Sequence, residues 1–261
     1  MSKKIFNIQY ILGLVAALTF IGCAKDNGAP RRATEDMDLG NKAMMQAYIA
    51  TVNASRNAIY VDGALTSGAV IASGGVFPTA ATAYAFALTS GLHTFQVRDT
   101  LRTATQVPLT FPVDVMPQKN YTVFLYDTIS TPKQKVVETK INTVDDGMAR
   151  IRIANFVYSK VDLPGIDIYS AVQKQNIATN VKITDVTEFI PYTANIVDTF
   201  TVRLTGTTTD LVNTGTGTNQ FIRVIITPRA KRHYTFVFRG SYTSTASTAA
   251  QTRMFSSFIN Y

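Results

Sequence analysis

The second half of this chain repeats the first, and no other feature narrows its possible folds as much. Asn53 follows the apolar run Ala47-Tyr48-Ile49-Ala50-Thr51-Val52 and matches Asn155, which follows Ala149-Arg150-Ile151-Arg152-Ile153-Ala154. Ile59-Tyr60 returns as Ile168-Tyr169, and Thr94-Phe95-Gln96-Val97-Arg98 returns as Thr199-Phe200-Thr201-Val202-Arg203. Tyr121-Thr122-Val123-Phe124 returns as Tyr234-Thr235-Phe236-Val237, and Ile141-Asn142 as Ile259-Asn260. The offsets are 102, 109, 105, 113 and 118, so the copies differ in loop length. One such match is weak, but five in the same order mark an internal duplication.

The repeated blocks are strand-like. Val107, Leu109, Phe111, Val113 and Val115 keep a period of two, as a half-buried strand requires. Pro108 and Pro112 fall on the other face and cannot donate to a ladder, which predicts an edge strand. Asp62-Gly63 is a hairpin turn signal. Charged residues are 16% of the chain against ~25% in ordinary soluble domains, and threonine, alanine and β-branched residues replace them. That bias disfavours helix. Each copy holds about seven short strands in roughly 100 residues. The expected fold is therefore all-β: two tandem immunoglobulin-like antiparallel β-sandwich domains at residues 44–144 and 147–261, divided at Val144-Asp145-Asp146-Gly147. A single large sandwich is the alternative, and the repeat argues against it. Tryptophan is absent and Cys23 is the only cysteine, so the cores rest on Ile, Val, Phe and Tyr.

Residues 1–22 read as a secretory signal. Lys3 and Lys4 precede a solid apolar run of about a dozen residues, too short for the ~20 of a membrane span. Leu18-Thr19-Phe20-Ile21-Gly22-Cys23 resembles the lipobox of bacterial lipoproteins, with cleavage between Gly22 and Cys23 and lipid on the Cys23 sulfur. Phe20 stands where leucine is usual. A multiply acylated cysteine satisfies the requirement of more than one chain for stable anchoring. Residues 23–43 are then a lipidated tether, in which Arg31-Arg32 is a candidate processing site. Ala24-Lys25 lacks the aspartate of inner-membrane retention, and Lys25-Asp26 weakly resembles the export signal of surface lipoproteins in Bacteroidota-type bacteria. The expected location is the outer membrane, facing outward, with the periplasmic face as the alternative. Removing residues 1–22 takes Lys3 and Lys4 and no acid, leaving 23 basic against 17 acidic residues. In an exported protein this modest positive balance implies no nucleic-acid partner; the partners expected are the membrane, through Cys23, and envelope proteins or glycans.

Residues 149–155, Pro164-Gly165-Ile166-Asp167-Ile168-Tyr169, residues 199–203 and Lys231-Arg232-His233-Tyr234-Thr235-Phe236-Val237 together resemble a family of uncharacterised bacterial envelope domains. That family has tandem β-sandwich repeats and is a domain of unknown function. Its pattern is an Arg-x-x-Asn strand, an aspartate and tyrosine in the next strand, and two later tyrosine-containing strands. The second half fits it better; the first lacks the early arginine, and Tyr60 has no preceding aspartate. The resemblance spans residues 45–261 and implies no catalytic or binding residues.

Catalytic chemistry is sparse. His93 and His233 are the only histidines, and both are expected at the surface. No serine elbow accompanies them. Asp36-x-Asp38 and Asp145-Asp146 lack the glycine and distal glutamate of a calcium loop. Thr214-Gly215-Thr216-Gly217-Thr218 lacks the lysine of a phosphate loop and reads as a hairpin tip. Arg229-Ala230-Lys231-Arg232-His233 reads as a solvated basic turn, and Asp99-Thr100-Leu101 and Asp127-Thr128-Ile129 resemble O-glycosylation acceptors of Bacteroidota-type envelopes. No catalytic residue, metal or cofactor is expected. The function expected is a non-enzymatic surface lipoprotein acting as a binding or scaffold module. The alternatives are a pilin-like fimbrial subunit and, behind it, a hydrolase built on a sandwich.

Overall fold

The computed structural model describes residues 39–260 except 102, 217–219, 248 and 250. The described residues are almost all β and contain no α-helix. After a 3-10 turn at Leu39–Asn41 come β1 (Lys42–Ile49), β2 (Asn57–Val61), β3 (Ala64–Leu65), β4 (Val76–Phe77) and β5 (Phe86–Thr89). Then follow β6 (Gly91–Asp99), β7 (Leu109–Val115), β8 (Asn120–Tyr126) and β9 (Lys133–Glu138). The second half carries β10 (Ala149–Asn155), β11 (Ile166–Ser170), β12 (Gln175–Val181), β13 (Ile190–Tyr192), β14 (Asp198–Leu204), β15 (Arg223–Ile226), β16 (His233–Arg239) and β17 (Met254–Ile259). β1 thus begins inside the segment expected to be tether, and its Ala43 is buried.

Four sheets result. In the first half, β4-β1-β8-β9, with β5 also on β1, faces β3-β2-β6-β7; in the second, β13-β10-β16-β17 faces β12-β11-β14-β15. Most pairs are antiparallel, but β1/β8 and β10/β16 are parallel. Neither pair is joined by a hairpin: between its strands the chain runs to the opposite sheet and back twice, a connection long enough for parallel pairing. β7 pairs with β6 alone, so the strand carrying Pro112 is an edge. Asp62 and Gly63 both have positive φ, 50° and 80°, closing the two-residue turn from β2 to β3.

Strand register tests the duplication residue by residue. Ile59 pairs with Val97 and Tyr60 with Gln96; Ile168 pairs with Val202 and Tyr169 with Thr201. The Ile-Tyr and Thr-Phe-x-Val-Arg blocks are therefore true counterparts. The two end matches slip. Met45 faces Tyr121 as Ile151 faces Tyr234, which makes Ile49, not Asn53, the counterpart of Asn155. Asn155 is the last residue of β10 rather than a residue beyond it. Glu138 faces Tyr121 as Ile259 faces Tyr234, so Thr139 is the counterpart of Asn260, and Ile141 lies past its strand. Register comes from hydrogen bonds to the neighbouring strand, which short sequence matches do not contain.

One core lies inside each pair of sheets, the first around Met45, Ile59, Phe95 and Phe111, the second around Ile151, Ile168, Phe200 and Phe236. A third apolar cluster joins the halves: Tyr48, Ala50, Val76 and Phe124 meet Ala154, Phe156, Val237 and Phe258. The Phe124 and Phe156 rings stack at 4.7 Å between centroids, and Tyr48 and Phe258 at 5.4 Å. This is why β10 and β16 are buried along their whole length: each has a core on both faces. Leu39–Tyr261 forms one compact unit.

Beside that cluster lies a buried polar network. Arg152, 2% exposed, donates from Nε to Thr235 Oγ1 at 2.8 Å and from Nη2 to Thr122 and Thr139 at 2.9 and 3.1 Å. Asn260 Nδ2 donates to Gln46 Oε1 at 2.8 Å, and Thr235 donates to Asn260 Oδ1. By register, Gln46 corresponds to Arg152 and Thr139 to Asn260. The cross-contacts Gln46–Asn260 and Arg152–Thr139 are thus reciprocal, as in an isologous two-fold interface. The halves pack on each other by pseudo-two-fold symmetry.

Candidate functional site

Gly22 and Cys23, the expected cleavage and lipidation residues, lie outside the described residues, as do Arg31, Arg32, Asp36 and Asp38. The remaining sequence candidates can be placed. His93 sits at the Asp62-Gly63 turn. Its Nδ1 is 2.6 Å from Asp62 Oδ2 and its Nε2 is 2.6 Å from the Thr89 carbonyl oxygen. Burial alone would lower its pKa, but the hydrogen bonds to Asp62 and Thr89 outweigh burial and the net shift is upward. Both partners are acceptors, which favours the doubly protonated ring. With both ring nitrogens engaged, neither is free to activate a nucleophile.

His233 is not at the surface. It is fully buried, because β16 has a core on each face. Its Nε2 accepts the Asn142 N–H at 3.2 Å, and its ring meets Phe189 edge-on at 4.9 Å. Burial, aided by the nearby Arg150 and Arg152 charges, pushes its pKa down to about 4. The imidazole is therefore neutral at pH 7 and pins the connector between the halves. Arg229, Lys231 and Arg232 before it are exposed. Asp145 pairs with Lys231 at 2.9 Å and Asp146 with Arg150, so the acidic pair in the connector is spent on local ion pairs.

In the glycine-threonine stretch, Thr214 makes a parallel bridge to Ala246, and the Thr216 carbonyl accepts from Ser247 Oγ at 3.0 Å; Gly217 and Thr218 lie outside the described residues. Asp99 Oδ1 accepts the Leu101 N–H at 2.8 Å, and Asp127 Oδ1 accepts the Thr128 N–H at 2.8 Å, so both acidic tripeptides are turns closed by their aspartate.

Two features escaped the sequence reading. Arg152 is a buried cation held by three threonine hydroxyls and stacked 4.8 Å from the Phe189 ring. Burial pushes its pKa down to about 9, which leaves it charged at neutral pH. Asp198, 2% exposed, gathers the Ser170 and Tyr192 hydroxyls and the N–H groups of Val172 and Thr199. No histidine joins that cluster, and its carboxylate caps the turn after β11. The residues of the family-like pattern are spent similarly: Asn155 Nδ2 donates to the Val181 carbonyl at 3.0 Å, and Asp167 accepts from Asn180 N–H and Thr205 Oγ1, both at 2.8 Å.

Among the open cavities, each outer sheet carries one. On the first, a polar cavity of about 440 Å³ is lined by Tyr60, Arg98, Asp99, Thr100, Leu101 and Gln106. On the second, a more apolar groove of about 320 Å³ is lined by Tyr169, Thr201, Leu211, Val212, Phe221 and Arg223. The pair Tyr60/Arg98 occupies the same place in its repeat as Tyr169/Arg203. In both, the guanidinium lies over the tyrosine ring, at 4.5 and 3.6 Å from the centroid.

No curated protein matches the chain. Residues 47–163, which run from within β1 to beyond β10, match the family model described as Domain of unknown function (DUF4397).

Proposed function

We propose that this chain is a non-enzymatic, lipid-anchored envelope protein whose two fused sandwiches serve as a rigid binding or scaffold module for envelope proteins or glycans. The observation that carries the reading is where the polar chemistry goes. The buried polar side chains of Arg152, Asp198, Asp167 and His233 are committed to holding strands, turns and the two halves together. The His–carboxylate pair, His93–Asp62, sits on a half-exposed turn with both ring nitrogens engaged, which argues against a hydrolase. The fusion through the third core leaves the outer sheets as the contact faces.

The fimbrial alternative needs a vacated groove and a strand to donate into it. β17 is paired along six residues with β16, and its Phe255 and Phe258 are buried. Processing at Arg31 or Arg32 would leave β1 in place beside β8. Both observations weigh against strand donation.

The test is metabolic lipid labelling and surface protease treatment of intact cells, wild type against Cys23→Ala. Labelling and protease release that both require Cys23 are the expected result and fix an outward-facing lipoprotein. Labelling with protection from protease places it on the periplasmic face. Labelling that survives Cys23→Ala would sink the anchor.

A further inference from the structure

We infer that the end of the molecule at which β1 starts rests on the bilayer, with the side chains of Leu92 and Val197 inserted among the lipids. The inference rests on the Cys23 anchor proposed above and adds a second membrane contact to it.

Strand direction defines that end. Met44 pairs with Asn120 and Arg150 with His233, so β1 starts beside β8 and β10 beside β16. The starts of the two halves also adjoin. The Asn142 N–H reaches His233, and Gln46, early in β1, bonds the Ile259 carbonyl at the end of β17. At the opposite end, Asn53 meets Gln251 and Arg239 meets Ser73. Both sandwiches therefore present the same end where the chain enters at Leu39. Cys23 lies sixteen residues earlier, which even a fully extended chain spans in about 55 Å.

Exposed apolar side chains from both sandwiches stand there. Leu39 is at the entry itself. Leu92 and Met116 flank the Gly91–Val115 pair, and the Ser90 and Gln118 N–H groups bond the Asn41 and Lys42 carbonyls, so both residues border the entry. In the second sandwich, Tyr192 pairs with Ala149 at the start of β10, and its hydroxyl bonds Asp198. Ile196 and Val197 precede Asp198, and the Val172 N–H bonds its carboxylate. Scattered exposed apolar residues are ordinary, but two of these share one position. Ile59 pairs with Val97 as Ile168 pairs with Val202, which makes Leu92 and Val197 counterparts. They are 71% and 62% exposed. An exposed aliphatic side chain repeated at one end of two fused sandwiches gives two points of contact with a flat apolar phase. Charge does not select this end for an anionic surface. Lys231 is paired there with Asp145, and Glu35, Asp36 and Asp38 precede Leu39 in the sequence. The gain comes from apolar area leaving water, so a zwitterionic bilayer suffices.

The chain has no tryptophan, so a single one reports depth. The lipidated full chain carrying Leu92→Trp, Val197→Trp or Val161→Trp is reconstituted into phosphatidylcholine vesicles with and without brominated acyl chains. Val161 is also exposed but lies beyond the end of β10, at the far end. Bromine should quench the Leu92→Trp and Val197→Trp variants at least about twofold, independently of salt, and leave Val161→Trp unchanged. Adding Val197→Asp to Leu92→Trp should reduce that quenching by about half, since both positions meet one plane. Equal quenching with and without Val197→Asp would overturn the two-point contact. Vesicle-bound chains whose Leu92→Trp and Val197→Trp variants stay unquenched would overturn the inference and leave the anchor standing. A blue shift that grows with protein concentration in detergent, without bromine quenching, would give this end to a second copy instead. A wild-type chain that does not float with vesicles would remove the anchor and this inference together.

Discussion

The same guanidinium–tyrosine pair is built into both sandwiches and meets different fates. In the second, Arg203 presses on Tyr169 at 3.6 Å and is held by Asp210. The segment after β14 folds back over the sheet: the Leu211 N–H reaches the Val202 carbonyl at 2.7 Å, and Arg253 holds Asn213. In the first, the segment after β6 turns at Asp99–Leu101, and Arg98 stands at 4.5 Å from Tyr60 beside an open cavity. A similar divergence separates the hairpins. Asp167 fastens Asn180 and Thr205, and β12 runs seven residues; Ala58 stands in its place in the first copy, where β3 runs two. Duplication preserved strand order and cores, and the connections decided how each outer face is covered.

The comparison can be broken most sharply at the contact between the copies. Phe124→Ala removes a fully buried ring that touches Tyr48, Phe156 and Phe258, and should cost about 4 kcal/mol in urea unfolding. The loss should appear in one transition. Two separated transitions would mean that the halves do not unfold together.

Arg152→Ala should cost about 3 kcal/mol, since Thr122, Thr139 and Thr235 lose a buried donor together. Its counterpart Gln46→Ala also strands three partners, the Tyr84 and Ile259 carbonyls and Asn260 Nδ2, but these bonds involve a neutral amide rather than a buried cation, so it should cost about half as much. Equal losses would erase the asymmetry of the network.

The two histidines should respond to pH in opposite senses. His233 has a folded pKa near 4 against about 6.5 unfolded, so its stabilising effect is intact above pH 6.5 and fades as pH falls toward 4, on the order of 3 kcal/mol in all. His93 has a raised folded pKa, so its contribution is full below pH 6.5 and is lost as pH rises through the folded value. Urea midpoints at pH 7.5 and 4.5 for His233→Asn and wild type check the first: the acid loss should shrink in the variant.

The smallest expected difference lies at the outer faces. Arg203→Ala should cost about 1 kcal/mol through loss of both ring and carboxylate, and Arg98→Ala only a few tenths. A larger loss for Arg98 would show that the first face depends on its arginine for stability.

Much of the framework was legible. The period-two run from Leu109 to Val115 became a strand with Phe111, Val113 and Val115 buried, and its prolines marked a sheet edge. The Thr-Phe-x-Val-Arg blocks proved equivalent to the residue. The ends of the duplication were misaligned, because Asn53 with Asn155 and Ile141 with Ile259 match in letters while their neighbours' hydrogen bonds do not. His233 was misread as surface-facing and the burial of Arg152 was not foreseen, since a charged or titratable residue in an alternating strand points to water only if that face has no partner sheet. The cavity was invisible for a related reason: Tyr60 and Gln106 lie far apart in sequence and meet only where the loop after β6 returns to the sheet.

Alternation, turn chemistry and repetition are local properties, and they sufficed to specify an all-β chain built from two similar halves. The packing of one half on the other is not local. It depends on which faces of β1, β8, β10 and β16 find each other, and burial of both faces became visible only when the four sheets were stacked. That stacking turned an arginine and a histidine into internal fasteners and left the outer sheets to meet the surroundings.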